Sequence, residues 1–131
     1  MISKGEEQRA HLIMKLRGQG IRSASVLSAI ESVPRDIFIE NALKNHAWEN
    51  VTLPIGEGQT ISQPYIVALM TTALNLSGKE IVLEIGTGSG YQASILSLLC
   101  RRVYTIERIK TLHEFSNLSL IHISEPTRLA T

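Results

Sequence analysis

The hydrophobic and polar positions give the first half of the chain a helical texture. Between Gly5 and Arg17, Leu12, Ile13 and Leu16 share one helical face with Met14 beside it, and Gly18 and Gly20 end the run. Ser23 or Ser25 caps a second helix, whose Val26, Leu27, Ile30 and Val33 repeat at helical spacing until Pro34 stops it. Asp36 to His46 reads as a short third helix. These pieces are small and amphipathic, so they need something larger to pack against.

From Trp48 to Tyr65 the periodicity disappears. The segment carries Gly56, Gly58, Pro54 and Pro64 and is too polar for a buried strand, so it predicts a long ordered loop of the kind that carries function. Pro64 opens the next helix, with Ile66, Val67, Met70, Ala73 and Leu74 as its buried stripe and residues 75–78 closing it. Glu80 to Ile85 is a compact apolar run, suited to a strand covered on both faces. Gly86, Thr87, Gly88, Ser89 and Gly90 follow at once. Tyr91 to Cys100 is a helix with Ile95, Leu96 and Leu99 inward, and Val103 to Ile106 is a second strand ending at Glu107. Strand, glycine turn, helix and strand predict a right-handed βαβ unit with parallel strands, hence an α/β fold. Thr111 to Leu120 begins another helix, but residues 121–131 have no clear period and Pro126 interrupts them.

Composition narrows the class. The 131 residues, 44% of them hydrophobic, support one domain with a real core. Thirteen Lys plus Arg stand against twelve Asp plus Glu, spread evenly over both halves, so the basic footprint of a nucleic-acid binder is missing. No polybasic stretch or membrane-length apolar run appears, and the charged first twenty residues are unlike a signal peptide. The single Cys100 allows no intrachain disulfide, and the four histidines lack metal-ligand spacing. A reducing, cytoplasmic setting is expected.

The chemistry concentrates at the strand ends. The turn at 86–90 brings backbone amides close to a ligand, and Glu107, 21 residues after Gly86, is placed to accept both hydroxyls of a ribose. Together they point to a nucleoside cofactor, against the blander reading of a turn kept only for packing. The dinucleotide fingerprint needs glycine where Tyr91 stands, which favours S-adenosylmethionine over NAD. Glu84, a strand carboxylate, either binds turn amides or faces a cationic part of the cofactor. Gln59, Thr60, Ile61, Ser62 and Gln63 precede a helix N-terminus, where amides attract anions and where a serine is usually only a cap.

Several of these segments also resemble a known family. Val33-Pro34-Arg35, then Leu53-Pro54-Ile55-Gly56, Gly58-Gln59-Thr60-Ile61-Ser62-Gln63-Pro64-Tyr65 and Val82-Leu83-Glu84-Ile85-Gly86-Thr87-Gly88-Ser89-Gly90-Tyr91 resemble the bacterial protein-L-isoaspartate O-methyltransferases, over about Arg9 to Lys110. The glycine motif is widely shared among methyltransferases; the segment at 58–64 is far more specific. The resemblance implies a Rossmann-like S-adenosylmethionine-dependent methyltransferase fold, here truncated, with an N-terminal helical subdomain. It implies methylation of isoaspartyl carboxylates in damaged proteins, with isoaspartyl proteins and peptides as partners, no nucleic acid or membrane, and a monomer when complete. By the same resemblance Ser62 is the active-site serine, Gln59, Thr60 and Ile61 lie against cofactor and substrate, 86–90 hold the methionine part, and Glu107 holds the ribose; Glu84, from its place on the strand, is counted with the cofactor-binding residues. The expected divisions are helical residues 1–47, an active-site loop 48–65, a partial Rossmann-like domain 66–117 and an unmatched tail 118–131. Family members continue well beyond this length. The chain alone is therefore expected to be inactive, with an exposed edge on its first strand. Two alternatives stand beside this: a non-catalytic truncated remnant, and half of an NAD-dependent oxidoreductase.

Overall fold

The computed structural model describes residues 2–121 and 127–130. Helix α1 (Lys4–Gly18) starts with a capping box: the Glu6 amide donates to Ser3 Oγ at 3.1 Å, and the Ser3 amide to Glu6 Oε2 at 3.4 Å. Ser23 caps α2 (Ala24–Ser32) by accepting from the Val26 amide. The two helices bury Leu12, Ile13, Leu16, Val26, Leu27 and Ile30, the faces their spacing predicts. The expected third helix is instead two 3-10 helices, Arg35–Phe38 and Asn41–His46, separated by extended backbone at Ile39. Phe38 and Ile39 are both buried, and a continuous helix would turn them about 100° apart.

The expected loop at 48–65 holds an antiparallel hairpin. Strand β1 (Leu53–Gly56) pairs with β2 (Gln59–Ile61), Leu53 facing Ile61, with an irregularity between Pro54 and Gly56. Glu57 and Gly58 form the two-residue connection with φ of +55° and +68°, positive at both positions as a type I′ turn requires. A non-glycine at the first of these positions and strands of three or four residues hide the hairpin from pattern analysis.

Pro64 takes the first turn of α3 (Pro64–Leu74), and Asn75 closes it in the left-handed region. The buried stripe is Pro64, Val67, Ala68 and Thr71, so of the expected stripe only Val67 is buried: Ile66, Met70 and Leu74 are 42%, 62% and 53% exposed, and Ala73 is exposed too. This helix is apolar almost all round, and periodicity alone cannot choose its inner face.

Strand β3 (Ile81–Ile85) runs parallel to β4 (Arg102–Ile106), in register from Ile81 opposite Arg102 to Ile85 opposite Ile106, with α4 (Tyr91–Ser97) between them in sequence. Helix α5 (Lys110–Ile121) crosses the boundary expected at 117/118, and β5 (Thr127–Ala130) pairs parallel with β4. The sheet order is β3-β4-β5, one strand more than the pattern offered. Of the expected tail, residues 122–126 and 131 lie outside the described residues.

Strand β3 is not covered on both faces. Ile81, Leu83 and Ile85 are 60%, 59% and 74% exposed, while Val82 and Glu84 point to the half-buried side. β3 is an edge strand, and among the described residues no element covers its outer face. A continuous apolar run reports what a strand is built to bury, not what lies beside it. The main core joins α1, α2 and α3 to Phe38, Trp48, Leu53, Ile61, Tyr91 and Ile95; a smaller one gathers Ala93, Leu96, Cys100 and Val103 under the sheet. The N-terminal helices thus share their core with α4, and this packing sets the hairpin beside the glycine turn.

Candidate active site

Parallel pairing puts the carboxyl ends of β3 and β4 side by side, so Gly86 and Glu107 leave the sheet together. The Gly86 and Thr87 amides donate to the Ile106 carbonyl at 2.8 and 3.1 Å, fastening the turn to the end of β4. Gly86 has φ +88°, and a Cβ built there meets no atom within 4 Å. The backbone is therefore both left-handed, as glycine permits, and open to a ligand.

A cleft of about 160 Å³ lies over this turn. The turn and strand end contribute Glu84, Gly86, Thr87, Gly88 and Ser89; the hairpin side contributes Thr60, Ile61 and Ser62; and Val67, Tyr91 and Gln92 complete it. The structure thus brings together eight of the eleven residues singled out from sequence. Gln59, Gly90 and Glu107 are not on the cleft wall. Gln59 is exposed in β2, and Gly90 is the buried N-cap of α4. Glu107 is 5% exposed behind the turn, where Oε1 accepts from the Gly88 amide at 2.8 Å and Oε2 from the Ile109 amide at 2.9 Å. A wider groove of about 780 Å³ runs between α1 and residues 45–51, but it contains no turn residue and no strand end. The chemistry, not the volume, assigns the site.

Ser62 does not cap α3. The N-cap is Gln63, which makes no side-chain cap bond, and the exposed Ser62 hydroxyl has no partner among the described residues. A serine one position before the cap cannot reach the first helical amides in the usual way, which leaves its hydroxyl free in the cleft.

Glu84 does not accept from the turn amides. It stands opposite Thr105 in the β3–β4 register, and Thr105 Oγ1 donates to its Oε1 at 2.6 Å. That donation leaves Thr105 Oγ1 to accept from Thr87 Oγ1, also at 2.6 Å, so a two-hydroxyl relay ties the carboxylate to the turn. The turn amide goes to Glu107 instead. Burial pushes the Glu84 carboxyl up to about 7, a shift the Thr105 hydroxyl opposes and the nearby Glu107 charge adds to.

This shift has a stability consequence. Between the ordinary value of 4.5 and about 7 the folded chain holds a proton that the unfolded chain has released. The group's contribution is full below the lower value and lost as pH rises through the upper one. Glu84→Gln should remove that part of the decline, giving a flatter stability profile between about pH 5 and 8 in denaturation titrations. Equal slopes for the two proteins would contradict the assignment.

Two lining residues, Tyr91 and Gln92, are not among the sequence's candidate site residues, although Tyr91 ends the glycine motif. Gln92 Nε2 donates to Thr71 Oγ1 at 2.9 Å and fixes α4 against α3. The sequence signal for Gln92 is position alone, in the first turn of the helix after the glycines. Among the described residues no cluster of three His, Cys, Asp or Glu side chains is placed to hold a metal, and no helix is long and apolar enough to cross a membrane.

A glycine turn at the carboxyl end of a parallel strand, with an acid on that strand and another just past the next, marks a Rossmann-like α/β protein, a class whose strand ends collect ligands. The family model for protein-L-isoaspartate(D-aspartate) O-methyltransferase (PCMT) matches residues 7–126, and the chain belongs to that family. A protein-L-isoaspartate O-methyltransferase from Parvibaculum lavamentivorans is 59% identical over 111 residues, covering 85% of this chain and 50% of the relative. A solved protein-L-isoaspartate O-methyltransferase superposes with a TM-score of 0.83 at 26% identity, covering 92% of this chain and 41% of its own. A Plasmodium falciparum structure described as a beta-aspartate methyltransferase (PCMT), in complex with S-adenosyl-L-homocysteine, gives 0.77 at 21% identity and covers 98% and 62%. The chain spans about half the length of the curated relatives it matches.

Proposed function

We propose that this chain forms the cofactor-holding and substrate-positioning half of an S-adenosylmethionine-dependent methyltransferase that acts on isoaspartyl carboxylates in damaged proteins. The observation that carries the reading is the cleft in which the 86–89 turn and the Ser62 segment line one space. The names of the relatives and the S-adenosyl-L-homocysteine complex of the Plasmodium neighbour support the same cofactor and substrate.

The residues fit such a cofactor in character. An open glycine backbone at Gly86 suits a close-lying ligand, and Glu84 places a carboxyl where a cationic group would sit. The volume fits only part of it: about 160 Å³ stands against the roughly 300–1,000 Å³ of ordinary ligand sites. When bound, S-adenosylmethionine supplies the electrophilic methyl and its leaving group. The chain's own task is then positioning. An isoaspartyl carboxylate has a pKa near 4 and is ionised at neutral pH, so it needs no general base. The lining matches this economy, having no histidine or lysine. Ser62 donates its free hydroxyl to one carboxylate oxygen, aiming the other at the methyl group, and α3 begins two residues later. A cytoplasmic setting and a monomeric full-length protein belong to the same proposal, with the lone buried Cys100 consistent with reducing conditions.

The test uses a completed chain, formed by appending the C-terminal half of the Parvibaculum lavamentivorans relative. Ser62→Ala should leave adenosylmethionine affinity within a few-fold while methylation of an isoaspartyl peptide falls roughly ten- to a hundred-fold, the scale of one lost orienting hydrogen bond. Wild-type values for both parameters would remove Ser62 from the mechanism.

A further inference from the structure

The Val33-Pro34-Arg35 segment has so far received no role. Its arginine is fully buried, and none of the described carboxylates pairs with it. Carrying a guanidinium into the interior without an acid is costly, so the neighbouring dipoles must be arranged for it. Four carbonyls meet it. Nη1 donates to Ala47 at 2.7 Å and Glu49 at 3.3 Å; Nη2 donates to Val51 at 2.8 Å and Ser62 at 3.1 Å. The guanidinium carbon also stands 5.9 Å from the centre of the Tyr91 ring.

These partners are not scattered. Ser62 and Tyr91 both line the cleft, one just after the hairpin and one at the start of α4. The segment 47–51 is fastened to the Ser62 side through Asn50, whose carbonyl accepts from Gln63 Nε2 at 3.2 Å and whose Oδ1 accepts from the Tyr65 amide at 2.8 Å. A single planar fork therefore touches the residue bearing the free hydroxyl, the segment that brackets it, and the helix behind the glycine turn. Lysine, a point donor on a flexible stem, cannot span the four acceptors in one plane.

We infer that Arg35 is a positioning residue, holding the Ser62 turn in register with the N-terminal end of α4 so that the Ser62 hydroxyl stays aimed into the cleft. The inference rests on the proposed methyl transfer for its kinetic consequence and on geometry alone for its structural one. A displacement of about 1 Å at a positioning group can lower turnover a hundred-fold without touching ligand affinity.

The test is Arg35→Lys in the completed chain, read by kinetics and by amide hydrogen exchange. The expected result is a fall in kcat of tenfold or more, with KM for adenosylmethionine within about threefold, the split expected of lost positioning. Exchange should quicken in residues 60–65 and stay unchanged in α1, α2, β3 and β4. Loss of the folded state, uniform quickening across the protein, or unchanged kcat with unchanged exchange would each overturn the inference by assigning Arg35 to the fold as a whole or to nothing. Should the unsubstituted completed chain transfer no methyl group, the proposed function fails, and exchange alone decides Arg35: local quickening at 60–65 supports it, and any other pattern overturns it.

Discussion

Glu107→Ala in the completed chain should weaken adenosylmethionine binding by about 2–3 kcal/mol, or roughly 30- to 150-fold, the scale of a lost charge-assisted bond pair. The carboxylate already accepts from the Gly88 and Ile109 amides, and it is almost fully buried. Two oxygens offer about four acceptor sites, so these bonds leave capacity for ribose hydroxyls on the proposed reading. Alanine would also orphan the Gly88 amide at the apex of the turn. Both effects act in one direction. Isothermal calorimetry checks the prediction, and an unchanged dissociation constant would show that neither the turn nor the ribose depends on Glu107.

The larger effect is expected from length. The 131-residue chain should transfer methyl groups at background, whereas the completed chain turns over. The cleft is about half the lower bound of an ordinary ligand site, and of the strand ends only that of β3 lines it. In open α/β sheets a ligand lies where strand order reverses, so it needs elements on both sides of the first strand. Here β3 is an edge, with Ile81, Leu83 and Ile85 bare, and α3 leaves Ile66, Met70 and Leu74 exposed. Such an edge and apolar surface favour self-association, which sedimentation of the chain should show and completion should suppress.

What was legible in the sequence was whatever local chemistry decides. Ser23 as a cap, Pro64 at a helix start and the glycine turn between β3 and α4 follow from the backbone demands of those positions. So did most of the cleft, because strand ends and glycine turns collect ligands in any parallel sheet. The misses are non-local. The inner face of α3 is set by what packs on it, and Ile66, Val67, Met70 and Thr71 look alike to a periodicity argument. The cover expected for β3 depends on neighbours that the run of apolar residues does not name. Glu84 accepts not from the turn amides but from Thr105, a partner that only the strand register reveals. Arg35 was invisible as a buried charge, since its four acceptors are backbone carbonyls that no side-chain pattern encodes.

The central claim is that the cleft over Gly86 to Ser89 presents an isoaspartyl carboxylate to the methyl group of S-adenosylmethionine. Its most direct test is transfer of radiolabelled methyl groups by the completed chain to two peptides that differ only in carrying isoaspartate or aspartate at one position. The account predicts base-labile label on the isoaspartyl peptide, none above background on its aspartyl twin, and neither from the 131-residue chain alone. Equal labelling of the two peptides, or turnover by the short chain comparable to that of the completed one, would contradict it.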